Sequence, residues 1–284
     1  SYAEVKRNSI TNGKIYITSD MHNNYISADS ISVIVHDNTL AFTDSIFEHT
    51  AIELSEHSEH TSAIITNNII TGPAYRGIKI SGDHRLSAII TRNTIDGTYI
   101  EGIHVDNLSN TIKIKYNNIN RAGVENCWQC NDTWNYSGIY VSPTYSADIE
   151  IVSNVIDSSG SYGMSLRSTI GNIDSNIVTN SGYGGIYLEG TSNYPSYDSL
   201  RYNTIIGSYS SSGSGIYNAE YSRPVVNYND IHGNGGYDFY NNASYSEFEE
   251  LDAKNNYWGS ETTTFELNTG SHPRDIGQIY DFYD

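Results

Sequence analysis

A two-part phrase recurs along this chain about every 25 residues, and it constrains the fold more than any other feature. The first part is a glycine followed by an apolar residue and a short alternating run. Its apolar anchors are Ile78, Ile103, Ile139, Met164, Ile186 and Ile216. The second part is an Asn-x-Ile turn, with isoleucines at Ile69, Ile95, Ile119, Ile156, Ile205 and Ile231. A repeat of this length predicts a solenoid of stacked coils.

Each period also contains a third short alternating run just before the asparagine, as in Ile112-Lys113-Ile114. Three short strands per repeat, with β-branched residues inward and polar residues outward, predict an all-β parallel β-helix. No copy has the i, i+3, i+4, i+7 spacing of an amphipathic helix, which excludes a helical repeat. At the corners we expect each asparagine to adopt the left-handed conformation and to hydrogen-bond its stacked neighbours. Each glycine is expected to provide a second bend.

One repeat runs through most of the chain, so the sequence predicts a single domain over residues 1–284 with about nine to ten coils. Both parts of the phrase lengthen at the same place, which marks a long loop insertion at about residues 121–136. We expect a C-terminal cap at about residues 255–284, where Asn255-Asn256-Tyr257-Trp258-Gly259 breaks the pattern. No cap precedes the first copy, so a longer, multi-domain chain is an open alternative.

The two phrases, followed by Asn-Asn-Tyr-Trp-Gly and an acidic aromatic tail, resemble the right-handed parallel β-helix repeat family. This is the pectate-lyase-like superfamily of carbohydrate-binding and sugar-hydrolysis domains, and the resemblance covers about residues 5–260. It implies a single-stranded, right-handed parallel β-helix. It does not select one activity, because the superfamily includes polysaccharide lyases, uronan epimerases, glycoside hydrolases, phage tailspikes and surface proteins.

The charge of the chain limits its partners. With 33 acidic and 15 basic side chains the net charge is −18, which argues against nucleic acid and against an anionic membrane surface. No apolar run is long enough to span a membrane, and we expect a secreted or cell-surface protein. A polysaccharide is the favoured partner. No cofactor and no dedicated metal site are predicted, with calcium left open as a bridge to an acidic glycan.

The two cysteines, Cys127 and Cys130, both lie in the insertion. A Cys-x-x-Cys pair also occurs in redox motifs and in half zinc sites. The redox motif belongs to a different fold, and no second ligand pair follows in this sequence. A local disulfide that ties the insertion is therefore favoured.

Counting along the repeat aligns the outward residues of successive glycine-led strands into columns. The first column contains Lys79, His104, Tyr140, Ser165, Tyr187 and Tyr217, and the second contains Ser81, Asp106, Ser142, Arg167 and Glu189. Two tryptophans of the insertion are expected beside these columns, because aromatic rings stack on the apolar faces of sugars. The predicted substrate contacts are Lys79, Asp106, Tyr187, Glu189, Trp128, Trp134 and Tyr217.

The predicted catalytic residues are His104, Tyr140 and Arg167. His104 and Tyr140 are one coil apart, about 4.8 Å between backbones, so their side chains could flank one sugar carbon as acid and base. Arg167, one coil further, could neutralise a uronate carboxylate. This set predicts a lyase or C5-epimerase of acidic polysaccharides, and the family that the chain resembles includes enzymes with Tyr–His acid–base pairs.

Two other functions stay open at this point. One is a noncatalytic glycan-binding or structural surface module, which would need the same face but no acid–base pair. The other is a glycoside hydrolase. It ranks lower because Asp106 and Glu189 are three coils apart, about 14 Å, which is too far for a hydrolytic carboxyl pair.

Overall fold

The computed structural model describes residues 2–19, 31–43, 49–56, 61–82, 86–108, 110–123, 136–143, 147–243, 251–259 and 279–281. Within these ranges the chain forms 28 short β-strands and no helix. The strands belong to three sheets of nine, nine and ten strands, and every third strand joins the same sheet. This topology confirms the predicted parallel β-helix with three strands in each coil.

The first sheet consists of β1 (Tyr2–Lys6), β4 (Ile31–His36), β7 (Thr61–Thr66), β10 (Ser87–Thr91), β13 (Ile112–Lys115), β16 (Ala147–Val152), β19 (Thr169–Asp174), β22 (Tyr197–Arg201) and β25 (Val225–Asn227). The second consists of β2 (Ser9–Thr11), β5 (Thr39–Ala41), β8 (Ile69–Thr71), β11 (Thr94–Thr98), β14 (Asn118–Ala122), β17 (Val155–Asp157), β20 (Ile177–Thr179), β23 (Thr204–Ile206) and β26 (Asp230–His232).

The third sheet consists of β3 (Ile15–Ser19), β6 (Ile52–Glu56), β9 (Ile78–Gly82), β12 (Ile103–Asp106), β15 (Ile139–Ser142), β18 (Tyr162–Arg167), β21 (Gly184–Glu189), β24 (Ser214–Asn218), β27 (Tyr237–Asn241) and β28 (Ile279–Asp281). Nine rungs in a sheet correspond to about eight full turns from the first rung to the last. The described chain therefore has slightly fewer turns than the nine to ten coils that we expected.

Branched aliphatic side chains fill the inside of the coils in register. In the third sheet Ile52, Ile78, Ile103 and Ile139 pair in sequence, and all four are fully buried. β-branched residues favour the extended backbone of such strands, and each buried side chain of this size contributes roughly 1.5–3 kcal/mol. Residues between these positions point outward, which leaves the outer face of each sheet free for polar side chains.

A buried asparagine ladder lies at the corner between the first and second sheets. Each Nδ2 donates a hydrogen bond of 2.9–3.0 Å to the Oδ1 of the asparagine one coil further along the chain. The members are Asn8, Asn38, Asn68, Asn93, Asn117, Asn154, Asn176, Asn203, Asn229 and Asn256. The expected bonding of stacked amides from coil to coil is confirmed.

The left-handed residue of this corner is the one before the ladder asparagine, contrary to our expectation. Asn67 has φ 54° and Tyr116 has φ 57°, whereas the ladder members that follow them do not have positive φ. The division has a physical reason. The residue at the bend must point outward, while the next side chain must point inward to reach the amides above and below it.

In two copies of the Asn-x-Ile phrase, the asparagine that bonds in the ladder is one residue later than the sequence pattern placed it. In the copy Asn67-Asn68-Ile69 the ladder position belongs to Asn68, so Ile70 points inward and Ile69 is 46% exposed. The copy Ser175-Asn176-Ile177 is displaced in the same way, because Asn176 bonds in the ladder. Two neighbouring asparagines or isoleucines give the sequence pattern two possible registers, and only the bonding selects one.

The glycines before the third-sheet strands are needed for close packing instead of a left-handed bend. A Cβ on Gly102 would lie 2.5 Å from Ile119 Cγ2 and 2.8 Å from the carbonyl oxygen of Gly138. Neither Gly102 nor Gly138 has positive φ. The left-handed glycines lie after the second-sheet phrase, as at Gly72 with φ 88°.

The described residues include only parts of the predicted insertion and of the predicted C-terminal cap. β14 ends at Ala122, and the description resumes at residue 136, so most of the predicted insertion at 121–136 lies outside the described residues. In the predicted cap, Asn256 continues the ladder and Trp258 is buried in the core. β28 adds a rung to the third sheet beyond β27. Residues 255–259 therefore continue the coil, where the sequence had suggested a break.

Candidate functional site

The outer face of the third sheet carries the first predicted column. His104 on β12 pairs in register with Lys79 on β9 and with Tyr140 on β15. The column continues through Ser165, Tyr187 and Tyr217. The alignment obtained by counting the repeat is therefore confirmed, and it places His104 and Tyr140 on adjacent rungs.

The second column runs beside the first on the same face. Asp106 pairs with Ser142, and Arg167 pairs with Glu189. Asp106 on β12 and Glu189 on β21 are three rungs apart, about 14 Å at the usual strand spacing. This separation exceeds the carboxyl spacing of both retaining and inverting glycosidases.

Four charged side chains meet at β12 and the corner that precedes it. Arg76 Nε donates to Glu101 Oε2 at 2.6 Å. Glu101 Oε1 lies 3.2 Å from His104 Nδ1, and Asp106 Oδ2 lies 3.3 Å from His104 Nε2. Glu101 has no exposed surface and His104 is only 8% exposed. The imidazole is thus held between two carboxylates, one inside the protein and one at its surface.

The ionisation of these groups follows from their contacts. Burial alone lowers the pKa of His104, but the contacts with Asp106 and Glu101 outweigh burial and raise that pKa above its usual value. Burial also opposes ionisation of Glu101, yet the contact with His104 and the charges of His104 and Arg76 lower the pKa of Glu101. Both directions favour an imidazolium flanked by carboxylates.

Tyr140 forms the other wall of this group. Its ring stacks on the imidazole of His104 with 4.8 Å between ring centroids and an interplanar angle of 18°. A cationic ring over the face of a tyrosine is attracted by the quadrupole of the phenol ring. The two side chains therefore form one stacked pair, and the prediction that they flank one sugar carbon stays a prediction.

The other predicted cations on this face are already paired. Arg167 Nε lies 3.0 Å from Glu189 Oε2, and both side chains are one-third exposed. Lys79 Nζ lies 3.5 Å from Glu53 Oε1 on the neighbouring rung. Surface pairs of this kind contribute little stability, so a bound anion can displace the carboxylate at small cost.

The tyrosines further along the column form a packed cluster. The ring of Tyr187 lies 5.2 Å from that of Tyr162 and 5.5 Å from that of Tyr217, and Tyr217 stacks on Tyr240 at 4.9 Å. Tyr187 is only 3% exposed, and burial is the main reason that its pKa is raised. The face of Tyr187 is therefore covered by protein, while Tyr217 is the partly buried neighbour.

Several predicted residues lie outside the described residues: Trp128, Trp134, Cys127 and Cys130. Their proposed roles as sugar-stacking residues and as a disulfide stay predictions. In the ranges that the structure covers, no group of three or more His, Cys, Asp or Glu side chains has an arrangement that could hold a metal ion. The described part also contains no helix with the length and apolarity that a membrane crossing needs.

Sequence reasoning did not identify Arg76 or Glu101 as part of this group. A signal for both was present. Each immediately precedes the glycine of its phrase, in Arg76-Gly77 and Glu101-Gly102, so they occupy equivalent positions one coil apart. A basic and an acidic residue in such positions predict a contact between coils.

The comparisons with known proteins agree with the architecture. Residues 137–272 match the family model described as the right handed beta helix region. Neither the curated proteins nor the solved structures gave a match. The described coils before residue 137 continue the same three sheets in the same order. The match over residues 137–272 and the three parallel sheets agree with the resemblance to the right-handed parallel β-helix family that is seen in the sequence.

Proposed function

We propose that this protein is a polysaccharide-active enzyme that transfers protons at a uronate residue, as a lyase or a C5-epimerase. The observation that carries the proposal is the stack of His104 on Tyr140, with the imidazole held between the carboxylates of Glu101 and Asp106. A fixed acid next to a phenol is the arrangement that removal and return of a proton at one carbon require.

The charge state of His104 assigns the roles within the pair. Because its contacts favour the protonated form, His104 is the acid, and Tyr140 is the base. In an elimination, Tyr140 takes the proton from C5 of the uronate, and the electron pair of that bond moves onto the carboxylate. As the C4–O bond breaks, this electron pair forms the C4–C5 double bond, and the leaving oxygen takes a proton from His104. In an epimerisation, the C4–O bond stays intact and C5 takes a proton from solvent water on its opposite face, while Tyr140 returns its proton to solvent.

Arg167 is proposed to bind the carboxylate of the uronate. Loss of the C5 proton places negative charge on that carboxylate, and a guanidinium stabilises it through two parallel hydrogen bonds. The substrate carboxylate would replace Glu189, which Arg167 contacts at 3.0 Å in the free protein. Lys79, Asp106 and Glu189 are proposed to contact the neighbouring sugar units, since they lie on the same outer face.

Tyr217 is proposed as a stacking surface for the substrate, with Tyr187 fixing its position from the neighbouring rung. Aromatic rings of this kind bind the apolar faces of sugars. We also propose a secreted or cell-surface location, supported by the net charge of −18 and by the type of substrate. Membership of a longer, multi-domain chain stays part of the proposal.

The test is an activity screen against alginate, pectate and glycosaminoglycans. Elimination is followed by the absorbance of the unsaturated uronate product, and epimerisation by NMR and by uptake of solvent deuterium at C5. We expect Tyr140→Phe to lower the rate by about 10²–10⁴-fold, because it removes the hydroxyl and keeps the ring stack. Tyr240→Phe is the matched control, since Tyr240 lies four rungs along the same column.

Wild-type protein that shows neither elimination nor epimerisation on any of these polymers would overturn the proposal. Equal loss of activity in Tyr140→Phe and Tyr240→Phe would overturn the role of Tyr140.

A noncatalytic glycan-binding module is the second candidate, and the pairing of Arg167 with Glu189 favours it. If that pair is a permanent surface contact, no cation is free to stabilise the reaction. This function predicts binding of an acidic glycan without turnover, which isothermal calorimetry would detect, and binding unchanged in Tyr140→Phe.

A further inference from the structure

Glu101 is a carboxylate with no exposed surface at a position where the neighbouring coils carry other residue types. The backbone bonds place Arg76 one coil before it and Ser137 one coil after it, in the same column. Removing a carboxylate from water costs several kcal/mol unless opposite charges and hydrogen bonds compensate it. The groups that compensate the buried charge of Glu101 therefore indicate the role of this residue.

Two groups compensate this carboxylate, one on each oxygen. Arg76 donates to Oε2 at 2.6 Å, and His104 Nδ1 lies 3.2 Å from Oε1. Arg76 remains charged at any accessible pH, so it holds Glu101 ionised and fixes the direction of its second oxygen. That oxygen lies within ion-pair distance of one nitrogen of the imidazole.

The other nitrogen of His104 also faces a carboxylate, because Asp106 Oδ2 lies 3.3 Å from Nε2. A neutral imidazole has one N–H donor and one acceptor nitrogen, so one of the two carboxylates would face a lone pair. Only the doubly protonated ring presents a donor to both. The two ion-pair distances therefore favour the imidazolium, with one carboxylate inside the protein and one at the surface.

We propose that Glu101, held by Arg76, is a positioning residue that fixes the imidazole of His104 in its doubly protonated form against the ring of Tyr140. Arg76, Glu101, His104 and Asp106 form an alternating chain of positive and negative groups. His104 then meets the substrate already loaded with the proton that it gives up. This assignment rests on the proposed function for its catalytic meaning, but the protonation of His104 can be measured without a substrate.

The remaining charged groups around His104 do not reverse this assignment. On β9, Lys79 is its register partner, but the ammonium lies toward Glu53 at 3.5 Å. On β15, Tyr140 contributes its ring face. Burial and the charge of Arg76 both lower the pKa of His104, and the contacts with Asp106 and Glu101 outweigh them and raise it.

The experiment is an NMR titration of the His104 ring Cε1–H signal in the full chain. Wild type is compared with Glu101→Gln, with Asp106→Asn, and with Glu150→Gln as the control. Glu150 is also an ion-paired carboxylate, but it belongs to β16 in the first sheet. We expect Glu101→Gln and Asp106→Asn each to weaken proton binding by His104 by about tenfold or more, and the control to leave it unchanged.

If Glu101→Gln fails to fold, Asp106→Asn still tests the inference. The Asp106 side chain is partly exposed, so its substitution should leave the fold intact. An unchanged His104 titration in Asp106→Asn, or in folded Glu101→Gln, overturns the inference. If Glu101→Gln does not fold, Arg76→Gln replaces it. Loss of the arginine should then make Glu101 titrate together with His104, and a single His104 transition identical to that of wild type overturns the inference.

The activity screen and the NMR test of Glu101 have independent outcomes. Absence of turnover on every uronate polymer sinks the proposed function and leaves the NMR result standing. If turnover is present, Glu101→Gln should move the alkaline limb of the kcat/KM profile to lower pH. A uniform loss of rate with an unmoved limb would instead mean that Glu101 has only a structural role.

Discussion

At the scale of a residue, the side chain of Asp198 places a carboxyl group in the interior of a coil. It points inward from β22 in register with Gly171, which pairs in turn with Ile149. Thr169 Oγ1 and Ser196 Oγ each donate to Asp198 Oδ2 at 2.7 Å. Burial nevertheless outweighs these donors and raises the pKa of Asp198 to about 6.

Because its pKa is raised, the ionised form of Asp198 destabilises the folded chain. We expect Asp198→Asn to remove this pH-dependent destabilisation. The folded chain binds the proton more tightly than the unfolded chain, so wild-type stability falls as pH rises from 3.8 through about 6 and is constant above that. Asparagine can accept the same two hydroxyl donors without a charge. We expect the variant to gain up to roughly 3 kcal/mol relative to wild type between pH 4 and pH 7.5, measured by urea denaturation. A difference that does not change with pH would contradict this.

How far a site could be predicted from sequence also depends on the residue. His104 and Tyr140 could be placed on adjacent rungs because strand period and coil length alone determine their position. The contact of Glu101 with His104 could not, because Glu101 lies at a corner, where side-chain direction does not follow the alternation of a strand. The burial of Tyr187 could not either, since it depends on rings from three rungs packing over one another.

At the scale of an element, the corner that contains the asparagine ladder holds each coil to the next. Asn117 makes five bonds at this corner through its backbone N–H and its side chain. Its backbone N–H and Nδ2 donate to Asn154 Oδ1, Nδ2 also donates to the carbonyl oxygen of Ile90, and Oδ1 accepts from both the backbone N–H and Nδ2 of Asn93. All these groups are buried, so each bond lost leaves an unsatisfied polar atom.

We therefore expect Asn117→Ala to lower the free energy of unfolding by at least about 3 kcal/mol, since each orphaned group costs about 1–3 kcal/mol. Asn120→Ala is the matched control, because Asn120 lies on the outer face of β14 and bonds only to Asp96 among the contacts that the structure gives for its side chain. The control should change stability by about 0.5 kcal/mol or less. Urea denaturation measures both, and similar losses in the two variants would contradict the importance of the ladder.

The strands and the bonding ladder could be predicted from the sequence, but the geometry of the corners could not. The asparagine signal was correct about amide bonding and wrong about the left-handed residue, which is Asn67 or Tyr116 and not its neighbour. A propensity belongs to a residue type, whereas the bend is set by which side chain must point inward. The glycine signal failed for a similar reason, since Gly102 is required by the approach of Ile119 and Gly138.

At the scale of the whole molecule, repulsion between like charges destabilises the folded chain. The chain carries 33 acidic and 15 basic side chains, so ion pairs such as Arg121 with Asp96 leave the net charge of −18 unchanged. Like charges on a rod repel one another over about 10 Å at 0.1 M salt and less at higher salt. Unfolding moves these charges apart and relieves the repulsion.

The expected result is that the free energy of unfolding rises between about 0.02 M and 0.3 M sodium chloride. Urea denaturation at each salt concentration measures it, and potassium chloride should give the same curve because screening does not depend on the cation. A fall in stability over this range would mean that the surface ion pairs outweigh the net repulsion.

The asparagine ladder has a consequence for how the site could be altered. Every coil offers the same donor to the next coil and the same acceptor to the previous one, so coils are interchangeable parts at this corner. A whole coil can therefore be inserted or deleted without changing the type of bond at the joint. Such edits between β15 and β18 would move Arg167 relative to His104 in discrete steps of about 4.8 Å. The spacing between the proposed catalytic residues can thus evolve by duplication of coils, with no substitution at any of these residues.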